Sequence, residues 1–212
     1  MSGSSAGNGA AATEGLPSRV ESSLNADQRL AAAKLAQRSP WTFSEKARRA
    51  VWMVVQASLF RWSWHSWYGF RRMLLRAFGA TLAPACQIRP TARIEIPWNL
   101  KIGEYSSIGD FTIIYNLGLI AIGSRVTVSQ RAHLCAGTHD FTRPDMPLLR
   151  PAITIHDDAW IAADAFVGPG VVVGAGALLG ARGCAFQDLE PWRIYGGNPA
   201  KQLAKRVQRG FA

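Results

Sequence analysis

The sequence predicts a mainly β protein: a parallel β-helix of triangular coils, led by an α-helical segment and closed by a short basic tail. Three observations carry that expectation. A branched aliphatic residue returns every six positions, small residues keep fixed offsets from it, and the composition changes abruptly before the repeats begin.

The aliphatic positions are Ile102, Ile108 and Ile114, then Ile122, Val128 and Leu134, then Ile155, Ile161, Val167, Val173 and Leu179. Four positions after most of them stands a small residue, as at Ser106, Thr112, Ala132, Ala159, Ala165 and Ala177. A glycine or alanine often follows the aliphatic directly, as at Gly103, Gly109, Gly123 and Gly168. Helical spacing cannot produce this, because six residues advance an α-helix by about 600° and carry the stripe around it. A short strand and a turn every six residues do produce it. Three units close one triangular coil with the aliphatics inside, and coils stack at the strand spacing of about 4.8 Å.

The coils are expected over residues 80–200, with two departures. One is a two-residue slip between Ile114 and Ile122, near Tyr115 and Asn116. The other is an excursion at 140–154, "DFTRPDMPLLRPAIT", which holds Pro144, Pro147 and Pro151 and begins directly behind His139. An insertion in a solenoid projects from a corner and builds a binding face.

Residues 41–79 are aromatic and basic. They hold five of the eight tryptophans and a net charge of +6. Thr42 with Glu45 has capping-box spacing, and Gly79 suits a helix stop. The uncharged run from Ala50 to Phe60 is about half of what a membrane-spanning helix needs. Two readings remain: one or two helices packed on the main domain, where they can cover the first coil's open strand edge, or at a subunit contact; or an interfacial helix with Arg71, Arg72 and Arg76 facing anionic lipid. Residues 1–40, rich in Ala, Gly and Ser, are expected to be a disordered arm with a helical turn or two from Ala31 to Gln37. The basic tail, residues 201–212, is expected over the last coil.

The net charge of +10 sits in the flanks, since residues 80–192 sum to −2. Basic flanks suit an anionic ligand or lipid headgroups, and no nucleic-acid reading motif accompanies them. Cys86, Cys135 and Cys184 are odd in number and form no CxxC pair, which argues against a disulfide framework and suits a reducing compartment. No secretory signal is visible at the N-terminus. The expected location is cytoplasmic, with peripheral contact at the inner face of the cytoplasmic membrane left open.

"GTHDF" with its excursion, "ITIHDDAWIAADAFVGPGVVVGAGALLGAR" and "PWRIYGGNPAKQL" together resemble the left-handed β-helix acyltransferases. Within them the match is to exopolysaccharide O-acetyltransferases of the colanic-acid type, over residues 41–207. The resemblance, not the spacing, implies a left-handed coil. It also implies a homotrimer with active sites between subunits, and acetyl transfer from acetyl-CoA to a sugar hydroxyl in exopolysaccharide or related surface-glycan synthesis, with no metal. The acceptor would be a sugar or a lipid-linked saccharide.

His139 matches the family's catalytic histidine. Imidazole titrates near pH 6.5, so it can take the proton of a hydroxyl as that oxygen attacks the thioester. Asn116 and Asp140 are the expected acceptor-binding positions. Asp140 is a poor orienter of His139, because neighbours in a strand point to opposite sides. For the CoA arm the matching positions are Trp160, Ala163, Gly180 and Ala181, and for its phosphates Lys201, Lys205 and Arg206. Alternatives are a hexapeptide acetyltransferase for a small sugar, nodulation factor, serine or antibiotic; a γ-carbonic-anhydrase-like metalloenzyme using His133, His139 and His156; or a non-catalytic scaffold.

Overall fold

Each six-residue unit forms a strand of two or three residues, an inward aliphatic and a corner. The structure, a computed structural model, describes residues 25–36 and 39–208. The expected arm before Asn25, Gln37, and the tail end from Arg209 to Ala212 lie outside the described residues. Three parallel sheets result. Face A stacks 81–82, 100–102, 120–122, 153–155 and 172–173. Face B stacks 87–88, 107–108, 127–128, 160–161, 178–179 and 193–196, with 201–205 added antiparallel at its end. Face C stacks 93–94, 113–115, 133–135, 166–167 and 184–185.

The inward positions are as expected: Ile108, Ile114, Val128, Leu134, Ile161, Val167, Val173 and Leu179 are all buried in one core. Leu82, Ile88 and Ile94 add a coil ahead of the first position read from the spacing. The third residue after most inward aliphatics is left-handed. Tyr105, Phe111, Arg125, Arg131, Asp158, Asp164, Arg182 and Trp192 all have positive φ, and only Gly170 and Gly176 of this corner set are glycines. A side chain in that region costs about 1 kcal/mol or more. The corner is held because its N–H reaches the coil before it, as in Arg131 N to Asp110 O at 2.9 Å and Arg182 N to Ala163 O at 2.9 Å.

Helices α1 (Ala26–Ala36), α2 (Phe43–Val55) and α3 (Tyr68–Ala77) precede the coils, with a π-helical turn at Gln56–Phe60. Helix α1 begins five residues before the helical turn or two expected from Ala31 to Gln37. Asn25 and Gln28 exchange backbone-to-side-chain bonds of 3.0 and 2.8 Å, which caps an alanine-rich run of strong helix formers. Helix α2 starts at the Thr42–Glu45 capping box as expected.

Helices α2 and α3 close the first coil with side-chain donors aimed at its bare strand edges. Arg76 donates to Leu82 O at 2.7 Å, Arg72 to Cys86 O at 2.7 Å, and Arg71 Nε to Ile88 O at 2.6 Å. Trp52 Nε1 donates to Ile94 O at 2.7 Å, and Gln56 Oε1 accepts from Ile94 N at 2.7 Å. Of the two readings left open for Arg71, Arg72 and Arg76, these bonds favour packing on the coil over direct contact with lipid. Arg71 is 0% exposed and also donates to Ser63 Oγ, Trp64 O and His65 O. Burial pulls its pKa below the usual arginine range. At the far end Arg193–Gly196 pairs with Lys201–Lys205, so the first part of the expected tail is a strand.

Replacing Arg71 by Met would leave four carbonyl or hydroxyl acceptors without their donor. We expect Arg71→Met to lose about 3 kcal/mol or more of stability, read as a lower urea midpoint; an unchanged midpoint would show that water can replace the guanidinium.

Candidate active site

The widened turns of the first three coils are stacked at one corner, where face C turns into face A. In the first coil this corner is the short 3₁₀ turn Pro97–Asn99, in the second Asn116 to Leu119, and in the third the excursion. The slip and the excursion, separate features in the sequence, are therefore neighbours in space. They are bonded together: Asn99 Nδ2 donates to Leu117 O at 2.9 Å, Gly118 N to Ala136 O at 2.8 Å and Ile153 N to Leu119 O at 2.9 Å. A Cβ on Gly118 would run into the Arg150 carbonyl, so this glycine lets the returning limb pass.

The excursion is a ribbon. Thr138–His139 pairs antiparallel with Leu148–Leu149, and Asp140 N donates to Pro147 O at 3.1 Å. The chain re-enters face A at Ile153, so Thr154, expected as the excursion's last residue, already belongs to a coil strand. The ribbon folds its own carbonyl onto the histidine: His139 Nδ1 lies 2.6 Å from Met146 O. A carbonyl only accepts, so Nδ1 carries the proton and Nε2 is left with its lone pair. His139 is exposed and free to present that atom to a ligand.

A pocket of about 410 Å³ opens at the histidine. Tyr115 and Leu117 form its floor and Met146, Pro147 and Leu148 one wall, while Leu35 of α1, Trp41 and Arg49 close it from the N-terminal side. Trp41 is clamped between two guanidiniums, with Arg150 of the returning limb 3.8 Å and Arg49 of α2 4.5 Å from its ring centroid. Such cation–π contacts are worth about 0.5–1 kcal/mol each at exposed sites. Arg49 is further held by Glu95 at 2.6 Å. Nothing in the periodicity marked Met146, Trp41 or Arg150 as parts of one site; hairpin closure and packing bring them together.

The two expected acceptor ligands are engaged elsewhere. Asn116 is 0% exposed, and its amide is spent on the Ile96 backbone, accepting from Ile96 N at 2.9 Å and donating to Ile96 O. It fastens the corner and is closed to a ligand. Asp140 turns to Thr142, accepting from its N at 3.0 Å and its Oγ1 at 2.5 Å, which holds its carboxyl below the usual range. It shapes the turn beyond His139 and does not line the pocket.

The expected CoA positions do fall together, but away from His139. Trp160 stands on face B, 41% exposed, with Nε1 donating to Ser129 Oγ at 2.9 Å. Ala163, Gly180 and Ala181 follow at the corner between faces B and C in two successive coils. Lys201 and Lys205 are exposed on the antiparallel strand that ends face B. Arg206 is tied down, its Nη1 donating to Asp158 O at 2.8 Å and Gly176 O at 3.0 Å. Below Trp160 the same corner continues as a groove of about 570 Å³ lined by Thr127, Ser129, Gln130 and Arg131. In a triangular coil face B is opposite the corner that carries His139, so one chain cannot bring both to one ligand.

The histidines do not converge. His133 lies on face C, edge-on to Tyr115 and Phe166 at 6.5 and 5.4 Å between centroids, and its buried Nε2 has no hydrogen-bond partner among the described residues. His156 sits at the corner after face A. Among the described residues no three His, Cys, Asp or Glu gather as a metal site.

The chain is 39% identical over 158 residues to WcaF of Escherichia coli (strain K12), named as a colanic acid biosynthesis acetyltransferase; the match spans 74% of this chain and 87% of that one. The WcaF of Shigella flexneri matches equally. A hexapeptide-repeat acetyltransferase of Vibrio cholerae in complex with acetyl-CoA has a TM-score of 0.70 at 22% identity, covering 85% of this chain and 99% of that one. A galactoside acetyltransferase in complex with coenzyme A has a TM-score of 0.69 at 18% identity, covering 84% and 90%. These structures share the left-handed parallel β-helix. No family model matches the chain.

Burial pushes the His133 pKa below 6.5. Above that pH both the folded and the unfolded chain keep it neutral. As pH falls from 6.5 through the depressed folded value, the unfolded chain takes up the proton first, and stability is lost. We expect His133→Gln to flatten this acid-side decline in thermal unfolding; an identical decline in the variant would place its origin elsewhere.

Proposed function

The chain belongs to the acetyltransferase family of the colanic acid biosynthesis WcaF proteins, and from that premise we propose how its own residues transfer the acetyl group. The protein is an O-acetyltransferase that moves an acetyl group from acetyl-CoA to a sugar hydroxyl in exopolysaccharide synthesis. His139 is the general base, and the observation that carries this is the Nδ1 bond to Met146 O, which leaves Nε2 as the free basic atom in the pocket. Nε2 takes the proton of the acceptor hydroxyl as its oxygen bonds to the thioester carbon. When the tetrahedral intermediate collapses, the C–S bond breaks and the imidazolium returns the proton to the CoA sulfur.

With Asn116 and Asp140 engaged in the fold, the acceptor sugar rests against Tyr115, Trp41 and the Met146–Leu148 wall, which suit the apolar faces of a sugar ring. Acetyl-CoA lies along Trp160, Ala163, Gly180 and Ala181, with Lys201 and Lys205 for phosphate. These two sets are on opposite sides of one chain, so the working site needs the His139 corner of one subunit against face B of the next. That geometry supports a homotrimer with shared sites. The location is cytoplasmic with peripheral membrane contact, and the acceptor a free or lipid-linked saccharide; among the described residues no helix is long and apolar enough to cross a membrane.

CoA release from acetyl-CoA with a panel of free and lipid-linked saccharides tests this. His139→Ala should lower kcat about 10²- to 10⁴-fold with unfolding unchanged. Trp160→Ala should raise the KM for acetyl-CoA about tenfold with kcat nearly kept. Wild-type turnover in His139→Ala would sink the assignment of the base.

A further inference from the structure

Helix α2 carries apolar side chains on two sides. Trp52 and Val55 pack inward, Arg49 pairs with Glu95, and Gln56, just beyond the helix, bonds Ile94, while the exposed Arg48 donates Nη2 to Phe78 O at the end of α3 at 2.7 Å. The opposite side carries Phe43, Ala47, Ala50 and Val54, and the apolar surface continues through Leu59 of the π-helical turn to Trp62 and Trp64. Phe43 is 88% exposed, Val54 69% and Trp62 85%. A surface helix ordinarily shows charge to water and hides its apolar stripe; here, besides the inward Trp52 and Val55, a second apolar stripe is outward, at the closed end of the solenoid.

The electrostatics of this cap are one-sided. Residues 41–79 sum to +6, and Arg48, Arg71, Arg72 and Arg76 give the hydrogen bonds described above to neutral backbone oxygens or a hydroxyl, which cancel none of their charge. The one acidic side chain of the segment, Glu45, is taken up by Thr42. Arg61 borders the apolar surface, beside Trp62. A second copy docking cap to cap would press two such positive bodies together, whereas anionic headgroups meet both the charge and the apolar face.

We propose that this outward face seats in the boundary between headgroups and acyl chains of an anionic membrane. Val54, Leu59 and Trp62 enter the apolar layer, and Trp64 lies at headgroup level. The cap arginines stay in the protein and lend a diffuse attraction, so insertion rather than salt-bridging supplies most of the affinity. This deepens the peripheral position proposed above, and it stands apart from acetyl transfer.

The test is co-sedimentation and tryptophan emission of the full chain with vesicles of phosphatidylcholine alone or mixed with phosphatidylglycerol, at low and high salt. Wild type should bind both, more tightly to the anionic mixture, with a blue-shifted emission that survives high salt. The double variant Val54→Asp/Trp62→Ser changes exposed side chains outside the pocket. It should keep its unfolding temperature and its CoA release with a soluble saccharide, and lose vesicle affinity at least about tenfold.

Wild type remaining in the supernatant, equal binding by the variant, or binding abolished by salt would each overturn the proposal. So would a lipid-free assembly of wild type that the variant dissolves, which would make the face a protein contact. Failure of acetyl transfer would show in His139→Ala and leave vesicle binding untouched.

Discussion

A stack of parallel coils has to end, and at each end a row of backbone N–H and C=O groups points along the axis with no strand to meet it. At the first coil this protein answers with side chains. Arginine and tryptophan donors reach Leu82, Cys86, Ile88 and Ile94 in turn, and Gln56 accepts from the one N–H of that series. Much of the N-terminal architecture follows. The helices must lie flat across the coil, their long polar side chains must point inward, and Trp52, Phe60 and Leu75 fill the space between. With the arginines of α3 and with Trp52 and Gln56 committed to the strand edges, much of what remains on the outer surface is apolar, Ser44, Lys46 and Arg61 apart. The same constraint that closes the solenoid thus produces the exposed hydrophobic face.

The corner that carries His139 depends on this cap in a second way. Helix α2 holds Arg49, which with Arg150 clamps Trp41 over the pocket beside His139. On the other side, two widened corners below the excursion are tied by Asn116, Asn99 and Gly118 into a platform. The histidine therefore stands on a ribbon whose base is rigid, and its ring is set by a carbonyl seven residues onward in its own chain. Regular coils alone would offer no such place, because each of their corners is a tight turn fully bonded to the coil before it.

The hexad spacing made the β-helix legible because burial in a three-sided coil leaves only one position in six for a large branched side chain. His139 was legible because the rhythm breaks immediately after it and the flanking motifs resemble a known family. Asn116 was misread for a physical reason. A polar residue at a break in a repeat looks the same in sequence whether it faces a ligand or, as here, satisfies the backbone that the break leaves unpaired. Arg71 was left between two readings for a like reason: an arginine among tryptophans suits a lipid interface, and the same long side chain can also donate to a buried strand edge, as it does here. The left-handed corner residues escaped notice because only Gly170 and Gly176 of that set betray the conformation by their type.

By itself, then, the sequence determined the coil, its inward stripe and the presence of a helical cap, since each follows from periodicity or a capping pair. Only the tertiary structure decided which way the cap's arginines point, that Asn116 and Asp140 belong to the fold, and that Met146 O sets the tautomer of His139. It also decided that the positions matched to CoA lie across the coil from the histidine. These are matters of which groups meet across the stack, and a spacing of six along the chain carries no information about what an edge or a corner meets beyond its own coil.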